Sequence, residues 1–386
     1  MAPSTNMLSY ILPISIIAAY ALGIASSIWL FPWAKRMAIY LITQPSADNT
    51  RIETNYTAQD DSLYGLDHAA LNIQLPPTTM WMNMGYWKDN GSVQLPEACQ
   101  ALLEKVLRTA GLDVNSKERD ETAGGESNTT KKRVLLDLGF GCGEQTIHLM
   151  RNHPARPSPI FDEYIGITLD KVQHGFAQKR LQQRIMHDNQ QGTSTRPSKI
   201  SLFCADAAQP STWPDEVKKT LYDAFSINND SNSNMERYVM GLDTLYHFHP
   251  SRREIFEYSH SVLRANLLAF DLFLAPSNPS SVTRIFNVLF LRLLTPALGA
   301  PFGNFVSPEI YTTMLEEAGY KTENIVIEDI TDHVFVGLAG FLDKRCRDMA
   351  IMGLGGYTKW QVAGWLFRWL SSGGVLRAGV VIAKVD

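Results

Sequence analysis

The densest chemical signal in the chain is Asp137-Leu138-Gly139-Phe140-Gly141-Cys142-Gly143-Glu144. The apolar run Val134-Leu135-Leu136 precedes it and a helix is expected from Glu144, so three alternating glycines stand at a strand-to-helix turn. Glycine lets a backbone turn tightly and approach a ligand without a Cβ clash. The start of the helix offers free N–H groups. The dinucleotide fingerprint is G-x-G-x-x-G, with a pyrophosphate on the helix end. This loop reads G-x-G-x-G, with an acid two residues before the first glycine. A carboxylate there attracts a cation and repels a pyrophosphate. A cationic ligand without phosphates fits the pattern best. Dinucleotide binding is the rival, and a plain βα turn is the bland alternative.

A histidine is a natural general base near neutral pH. His247 follows an apolar stretch, Tyr238-Val239-Met240-Gly241-Leu242, and Tyr246 and His249 flank it closely. A packed, hydrogen-bonded histidine is the alternative reading, and Tyr246 could orient an acceptor or simply pack. His333 lies in Asp329-Ile330-Thr331-Asp332-His333. Cys142 reads as a small filler of the glycine loop. No H-E-x-x-H or comparable spacing marks a metal site.

These residues need a scaffold, and the chain supplies an alternating pattern. Apolar strands are expected at Val134–Leu138, Tyr164–Ile167, Ile200–Cys204, Tyr238–Leu242, Leu267–Leu274 and Ala378–Lys384. Helices are expected over Cys99–Ala110, from Glu144, from Lys171 towards Met186, and after Pro214. Strands alternating with helices predict an α/β domain whose parallel sheet is covered on both faces. Residues 113–132 and the polar insert 228–234 read as exposed loops.

On this scaffold the motifs resemble those of class I S-adenosylmethionine-dependent methyltransferases, with a Rossmann-like sheet. Asp137 to Gly143 resembles their D-x-G-x-G-x-G loop. Gly166-Ile167-Thr168-Leu169-Asp170 resembles their second motif, in which the acid holds the ribose hydroxyls. Val172-Gln173 continues a form seen in tocopherol-type and cyclopropane-synthase-type members. Ala205-Asp206-Ala207 resembles the site that contacts adenine. Asp243-Thr244-Leu245-Tyr246-His247-Phe248 resembles the D-S-A-Y-H-F segment of the small-molecule group, which includes natural-product and sterol-type enzymes. Ser251-Arg252-Arg253 and Val262-Leu263-Arg264 continue that pattern, and Met84-Gly85-Tyr86-Trp87 resembles the group's N-terminal cap. The matches run in order from about residue 82 to residue 343. One departure is Ala265-Asn266, where the family often has Pro-Gly-Gly before strand five.

The resemblance implies S-adenosyl-L-methionine as cofactor, held by Asp137, Gly139, Gly141, Gly143, Thr168, Leu169, Asp170, Gln173, Asp206, Ala207 and Asp243. It implies His247 as the base, with Tyr246 and His333 beside the acceptor. Methyl transfer to oxygen is the first reading and transfer to carbon the second. A cyclase or isomerase that uses the cofactor's charge is a further alternative. A vestigial scaffold would have no physical need for the retained acids and glycines.

Composition narrows the setting. The 386 residues are 45% hydrophobic and carry a formal net charge of -4, which supports a sizeable core and gives no sign of a nucleic-acid partner. The four cysteines are far apart, which argues against a disulfide framework or a zinc site. Met1 to Ala34 carries no charged side chain, and the run from Met7 to Trp33 is long enough to cross a bilayer, which takes ~20 residues. Lys35 and Arg36 follow, and the positive-inside rule then places the rest of the chain in the cytosol. A cleaved signal peptide is the rival, but it would want a basic start and a shorter apolar run. The organisation expected is a transmembrane anchor at 1–36, a linker at 37–79, and a catalytic domain at 80–386 with an N-terminal cap and an apolar insertion around 281–305. Endoplasmic reticulum is the default membrane for such an anchor.

Two later stretches are more apolar than catalysis needs. Ile285 to Leu294 is nearly all apolar, and Arg284, Asn287, Arg292 and Thr295 are expected to share one narrow helical face. Trp360, Trp365, Phe367 and Trp369 lie among Lys359 and Arg368, a mixture suited to a membrane interface. Packing against the sheet is the competing explanation for both. The expected partners are a membrane and a lipophilic small-molecule acceptor.

Overall fold

The computed structural model describes residues 71, 73–88, 94–112, 131–151, 159–190, 199–226, 235–276, 282–296, 298–355 and 358–386. The expected anchor at 1–36 and most of the linker lie outside them, as do most of the two polar loops. Among the described residues no helix is long and apolar enough to cross a membrane.

Among the described residues, seven strands form one sheet, in the order β3-β2-β1-β4-β5-β7-β6. They are β1 (Lys132–Leu138), β2 (Glu163–Thr168), β3 (Lys199–Cys204), β4 (Met235–Leu242), β5 (Asn266–Leu274), β6 (Ile325–Asp329) and β7 (Leu376–Ala383). The first five are mutually parallel. β7 runs antiparallel between β5 and β6, so the sheet is mixed where the sequence pattern suggested an all-parallel one. β6 is an edge strand outside the expected set; its apolar run, Ile325-Val326-Ile327, is only three residues long before Glu328 and Asp329.

The helices are α1 (Leu95–Thr109), α2 (Glu144–Met150), α3 (Lys171–Gln190), α4 (Asp215–Phe225), α5 (Arg253–Glu257), α6 (Val282–Leu294), α7 (Pro308–Glu317), α8 (Phe335–Ile351) and α9 (Thr358–Gly373). They cover both faces of the sheet. Successive strand residues point to opposite faces, and the core divides accordingly. Leu135, Met240, Leu268 and Val380 pack with Leu102 and Val106 of α1, Leu291 of α6 and Leu370 of α9. Leu136, Val239, Leu267 and Val381 pack with Leu221 of α4, Phe256 of α5 and Leu315 of α7.

The local sequence explains several boundaries. α1 opens on a capping box between Gln94 and Glu97 and closes at Gly111, whose φ of 85° is left-handed. α4 starts directly after Pro214, as expected.

β1 lies between β2 and β4, where the strand order reverses. Ligands in open α/β sheets bind beyond the carboxyl ends of strands at such a switch point. The glycine loop leaves β1 there, and Asp243 leaves β4 beside it.

Candidate active site

A cleft of 430 Å³ opens at this switch point, within the ~300–1,000 Å³ usual for small-molecule sites. Its floor is Gly139 to Cys142 and Gln145. Its walls are Thr168, Leu169, Asp170 and Gln173 on one side, Asp206 and Ala207 next to them, and Leu242 to Thr244 with Tyr246 to His249 on the other. Met80 to Asn83 close it from above.

The glycines are required for different reasons. All three have left-handed backbones, with φ of 80°, 60° and 81° at Gly139, Gly141 and Gly143. A Cβ on Gly139 would stand 2.6 Å from Thr244 Oγ1, so this glycine allows β1 and β4 to converge at the cleft. A Cβ on Gly143 would stand 2.9 Å from the Ala177 Cβ, so that glycine lets α2 start against α3. Gly143 therefore serves packing and is absent from the cleft lining.

Asp137 differs from its expected role. It is fully buried beneath the loop and does not line the cleft. Its Oδ2 accepts from Gln145 Nε2 at 2.6 Å and from the Tyr164 hydroxyl. Its Oδ1 has no partner among the described residues. Burial pushes this carboxyl up to about 6, against the two hydrogen bonds that favour its ionised form. Asp137 braces the turn between β1 and α2.

The acids after β2 and β3 do line the cleft. Asp170 Oδ1 accepts from the Val172 and Gln173 amides at 2.7 and 3.0 Å, which starts α3 and leaves the second oxygen to other donors. Leu169 beside it is 70% exposed, an apolar surface that a flat ring in the cleft would cover. Asp206 accepts from the Ala208 amide at 2.9 Å and from Gln209 Nε2 at 3.1 Å. Its carbonyl accepts from Trp213 Nε1 at 2.6 Å, so the turn carrying Ala207 is fixed.

Asp243 has a left-handed φ of 62°. A left-handed backbone is uncommon outside glycine, and asparagine and aspartate tolerate it best among the others. Its Oδ1 accepts from the Tyr246 hydroxyl at 2.8 Å and its Oδ2 from the Met84 amide at 2.7 Å. Burial raises its carboxyl to about 6, and the nearby Asp271 adds to the rise. The Tyr246 hydroxyl is pushed well above its ordinary value by burial and by Asp243, so it stays a neutral donor.

His247 sits in the single 3-10 turn Leu245–His247. Its Nδ1 donates to the Gly299 carbonyl at 3.1 Å, and its ring lies 4.2 Å from that of Tyr246. A carbonyl can only accept, so the proton belongs on Nδ1 and the lone pair on Nε2. That is the tautomer a proton acceptor needs.

His333 is not brought to the cleft. It ends the turn Thr331–His333 with its ring 5.0 Å from Tyr86, and its carbonyl accepts from the Trp87 amide at 2.6 Å. The match in local sequence placed it near an acceptor, whereas the packing makes it a support for the cap.

Several contributors support the site from outside the cleft, and of these Arg180 and Asn304 carry no local motif. Arg180 pairs with Glu144 at 2.6 Å and donates to the Thr78 carbonyl, while Glu144 accepts from the Met80 amide at 2.9 Å. This ties residues 78–80 across the glycine loop. Trp87 anchors the other end of the cap under α8, where a Cβ on Gly337 would meet it at 2.2 Å. Beneath His247, Asn304 donates to the carbonyls of Tyr246 and Phe248, and Arg252 donates to the Asn304 carbonyl and to Asp271. The sequence signals for that network are Arg252, which lies in the matched Ser251-Arg252-Arg253 segment, and Asp271, a charge within the apolar run of β5.

Among the described residues no cluster of His, Cys, Asp and Glu could hold a metal ion. Donors and acceptors in the cleft suit a ligand with hydroxyls, a flat ring and a positive charge.

Comparison with known proteins adds context. No family model matches the chain, and no curated protein matches it. Solved structures resemble its course. A cyclopropane synthase from Mycobacterium tuberculosis aligns at a TM-score of 0.47 and 16% identity, over 78% of this chain and 89% of that one. An O-methyltransferase from a trans-AT PKS multienzyme of Brevibacillus brevis, solved with S-adenosyl-L-homocysteine, aligns at 0.43 and 13% identity, over 80% and 85%. The cyclase SpnF aligns at 0.44 and 15%, over 78% and 87%. These likenesses are distant, and the functional reading rests on the chain's own residues.

Proposed function

We propose that this protein is an S-adenosylmethionine-dependent methyltransferase acting on a lipophilic small molecule, with oxygen as the methylated atom. The observation that carries the reading is a convergence. The left-handed glycine loop, the free oxygen of Asp170 and the Nδ1-protonated His247 face one cleft at the switch point.

The cleft residues fit the cofactor. Asp170 would accept hydrogen bonds from a ribose diol, Leu169 and Ala207 would hold an adenine, and Gly139 and Gly141 would allow close approach of the amino-acid part. Asp243 places a carboxylate near the positive charge. The bound cofactor would supply an electrophilic methyl group.

The protein's own part is positioning and proton removal. His247 Nε2 takes the proton of an acceptor hydroxyl, and the Gly299 carbonyl stabilises the imidazolium that results. Tyr246 donates to Asp243 and keeps the wall of the cleft fixed. The segment Met80 to Asn83 shields the site from water.

The uncharged run Met7–Trp33, followed by Lys35 and Arg36, supports a single-pass anchor with the catalytic domain on the cytosolic side, and the endoplasmic reticulum is the default membrane for it. The acceptor is then a lipid, terpenoid or polyketide that partitions into that membrane.

The test is incubation of the full chain with methyl-labelled S-adenosylmethionine and an organic extract of membranes. A product heavier by one methyl, formed by wild type and lost in His247→Gln, supports the reading. Conversion of a compound without a change in mass would identify a cyclase or isomerase instead. Turnover without cofactor would remove the proposal.

A further inference from the structure

Helix α6 turns its apolar side outward. Ile285, Phe286, Leu289 and Leu293 are 55%, 67%, 52% and 76% exposed, and spacings of one, four and eight residues put them on one face. Single exposed apolar residues are ordinary, but a contiguous set of this size on a helix marks an interaction surface.

The arrangement differs from the sequence expectation. Arg284 bends inward and donates to the carbonyls of Ala275 and Pro276. Thr295 is buried with Leu291. Arg292 is exposed among the outward apolar residues, with its guanidinium 5.7 Å from the centre of the Phe302 ring. The polar residues therefore do not form one face.

α9 packs beside this helix. Phe290 meets Trp365 and Trp369 edge-on, at 6.1 and 5.0 Å. At the start of α9, Trp360 is 45% exposed and the Lys359 ammonium lies 4.8 Å from its ring. Exposed tryptophan, lysine and arginine on two adjacent helices, one of them with an aliphatic outer face, make the composition of a surface that meets anionic headgroups.

From these observations we infer that the outer face of α6, with Arg292 exposed among its apolar residues, docks on the bilayer surface and brings the cleft to membrane-dissolved acceptor. This deepens the proposed function and rests on its lipophilic acceptor. Two further observations choose a bilayer over a second copy of the chain. The run Met7–Trp33 would hold the domain at a membrane, and the 34 residues 37–70 can extend ~110 Å at ~3.3 Å each, enough to let α6 reach the surface. Arg292, exposed among the apolar side chains of the face, also suits phosphate headgroups.

Gly299, whose carbonyl holds His247, follows the last residue of α6 by five residues, so the docking helix is joined to the site by a short connection.

The experiment uses the full chain in vesicles of phosphatidylcholine with phosphatidylserine, part of the lipid carrying a photoactivatable group on its acyl chain. Adducts are mapped by mass spectrometry, and S-adenosylmethionine binding is measured on the same preparations. Adducts are expected in the α6 peptide as well as in residues 7–33. A Leu289→Glu/Leu293→Glu variant should lower the α6 adducts about tenfold, while the 7–33 adducts and cofactor affinity stay unchanged. Adducts confined to residues 1–36 with cofactor binding intact would overturn the docking surface and leave the proposed function standing. Cross-links between two chains through α6 in place of lipid adducts would overturn it in favour of a dimer. Absence of cofactor binding with α6 adducts present would instead remove the methyltransferase reading.

Discussion

The side-chain amide of Asn304 grips the carbonyl of Phe248 at 2.7 Å, and the same nitrogen reaches the carbonyl of Tyr246 at 3.2 Å. The two carbonyls flank His247, so one buried amide fixes the turn that aims the candidate base. Behind it, Arg252 joins Asn304 to Asp271, and the Tyr311 hydroxyl donates to Asp271 at 3.0 Å. Replacing Asn304 with leucine leaves both carbonyls without this donor, a loss of roughly 1–3 kcal/mol by the usual cost of an unsatisfied buried group. Denaturant unfolding should show that loss.

The Arg252–Asp271 pair is buried completely. Arg252→Met strands a carboxylate and should cost about 3–5 kcal/mol. Arg252→Met/Asp271→Leu removes both charges and should recover much of the loss, as read from unfolding midpoints. A double variant less stable than the single one would contradict the account.

His247→Gln keeps a polar side chain at the turn and removes the basic nitrogen. Turnover should fall about 10²–10⁴-fold, the usual contribution of a general base. Calorimetric affinity for S-adenosylmethionine should stay close to wild type, because the ring is assigned to proton transfer. An equal loss of affinity would make His247 a binding residue.

The loop glycines should not be equivalent. Gly139→Ala combines a left-handed backbone with a Cβ at 2.6 Å from Thr244 Oγ1. Gly141→Ala has the same backbone demand, but its nearest neighbour is Met82 Sδ at 3.7 Å. The backbone alone costs about 1–2 kcal/mol in either variant. Calorimetry should therefore find a greater loss of cofactor affinity in Gly139→Ala.

Asp243 gives the pH dependence a sign. Burial holds its carboxyl up to about 6 in the protein without ligand. A cation in the cleft favours the ionised form, so binding should release a proton near that pH, and affinity should weaken as pH falls below it. In stability, a raised carboxyl favours folding while it is protonated. The contribution of Asp243 is therefore present below its unfolded value near 4 and is lost as pH rises through about 6. Asp137 acts in the same direction. Calorimetry in buffers of different ionisation enthalpy measures the proton release, and Asp243→Asn should flatten it.

Much of the site was legible because buried parallel strands read as continuous apolar runs, and cleft residues follow directly where those runs end. Asp170, Asp206 and Asp243 could be located from that rule together with the resemblance. The roles of Asp137 and Gly143 could not, since facing the cleft and bracing it from behind place the same residue types at the same spacing. β6 was missed because its apolar run, Ile325 to Ile327, is too short to stand out from a loop. The Asn304–Arg252–Asp271 network joins residues from separate elements and has no local period. His333 shows the converse, since a familiar segment was carried away from the cleft by the packing of the cap.

The most direct measurement is calorimetric titration of the detergent-solubilised full chain with S-adenosylmethionine, with Asp170→Ala and NAD as comparisons. The account predicts saturable binding of S-adenosylmethionine, a loss of at least about tenfold in Asp170→Ala, as expected for a lost hydrogen bond to a carboxylate, and no response to NAD. Binding of NAD by a well-folded protein that ignores S-adenosylmethionine would contradict it.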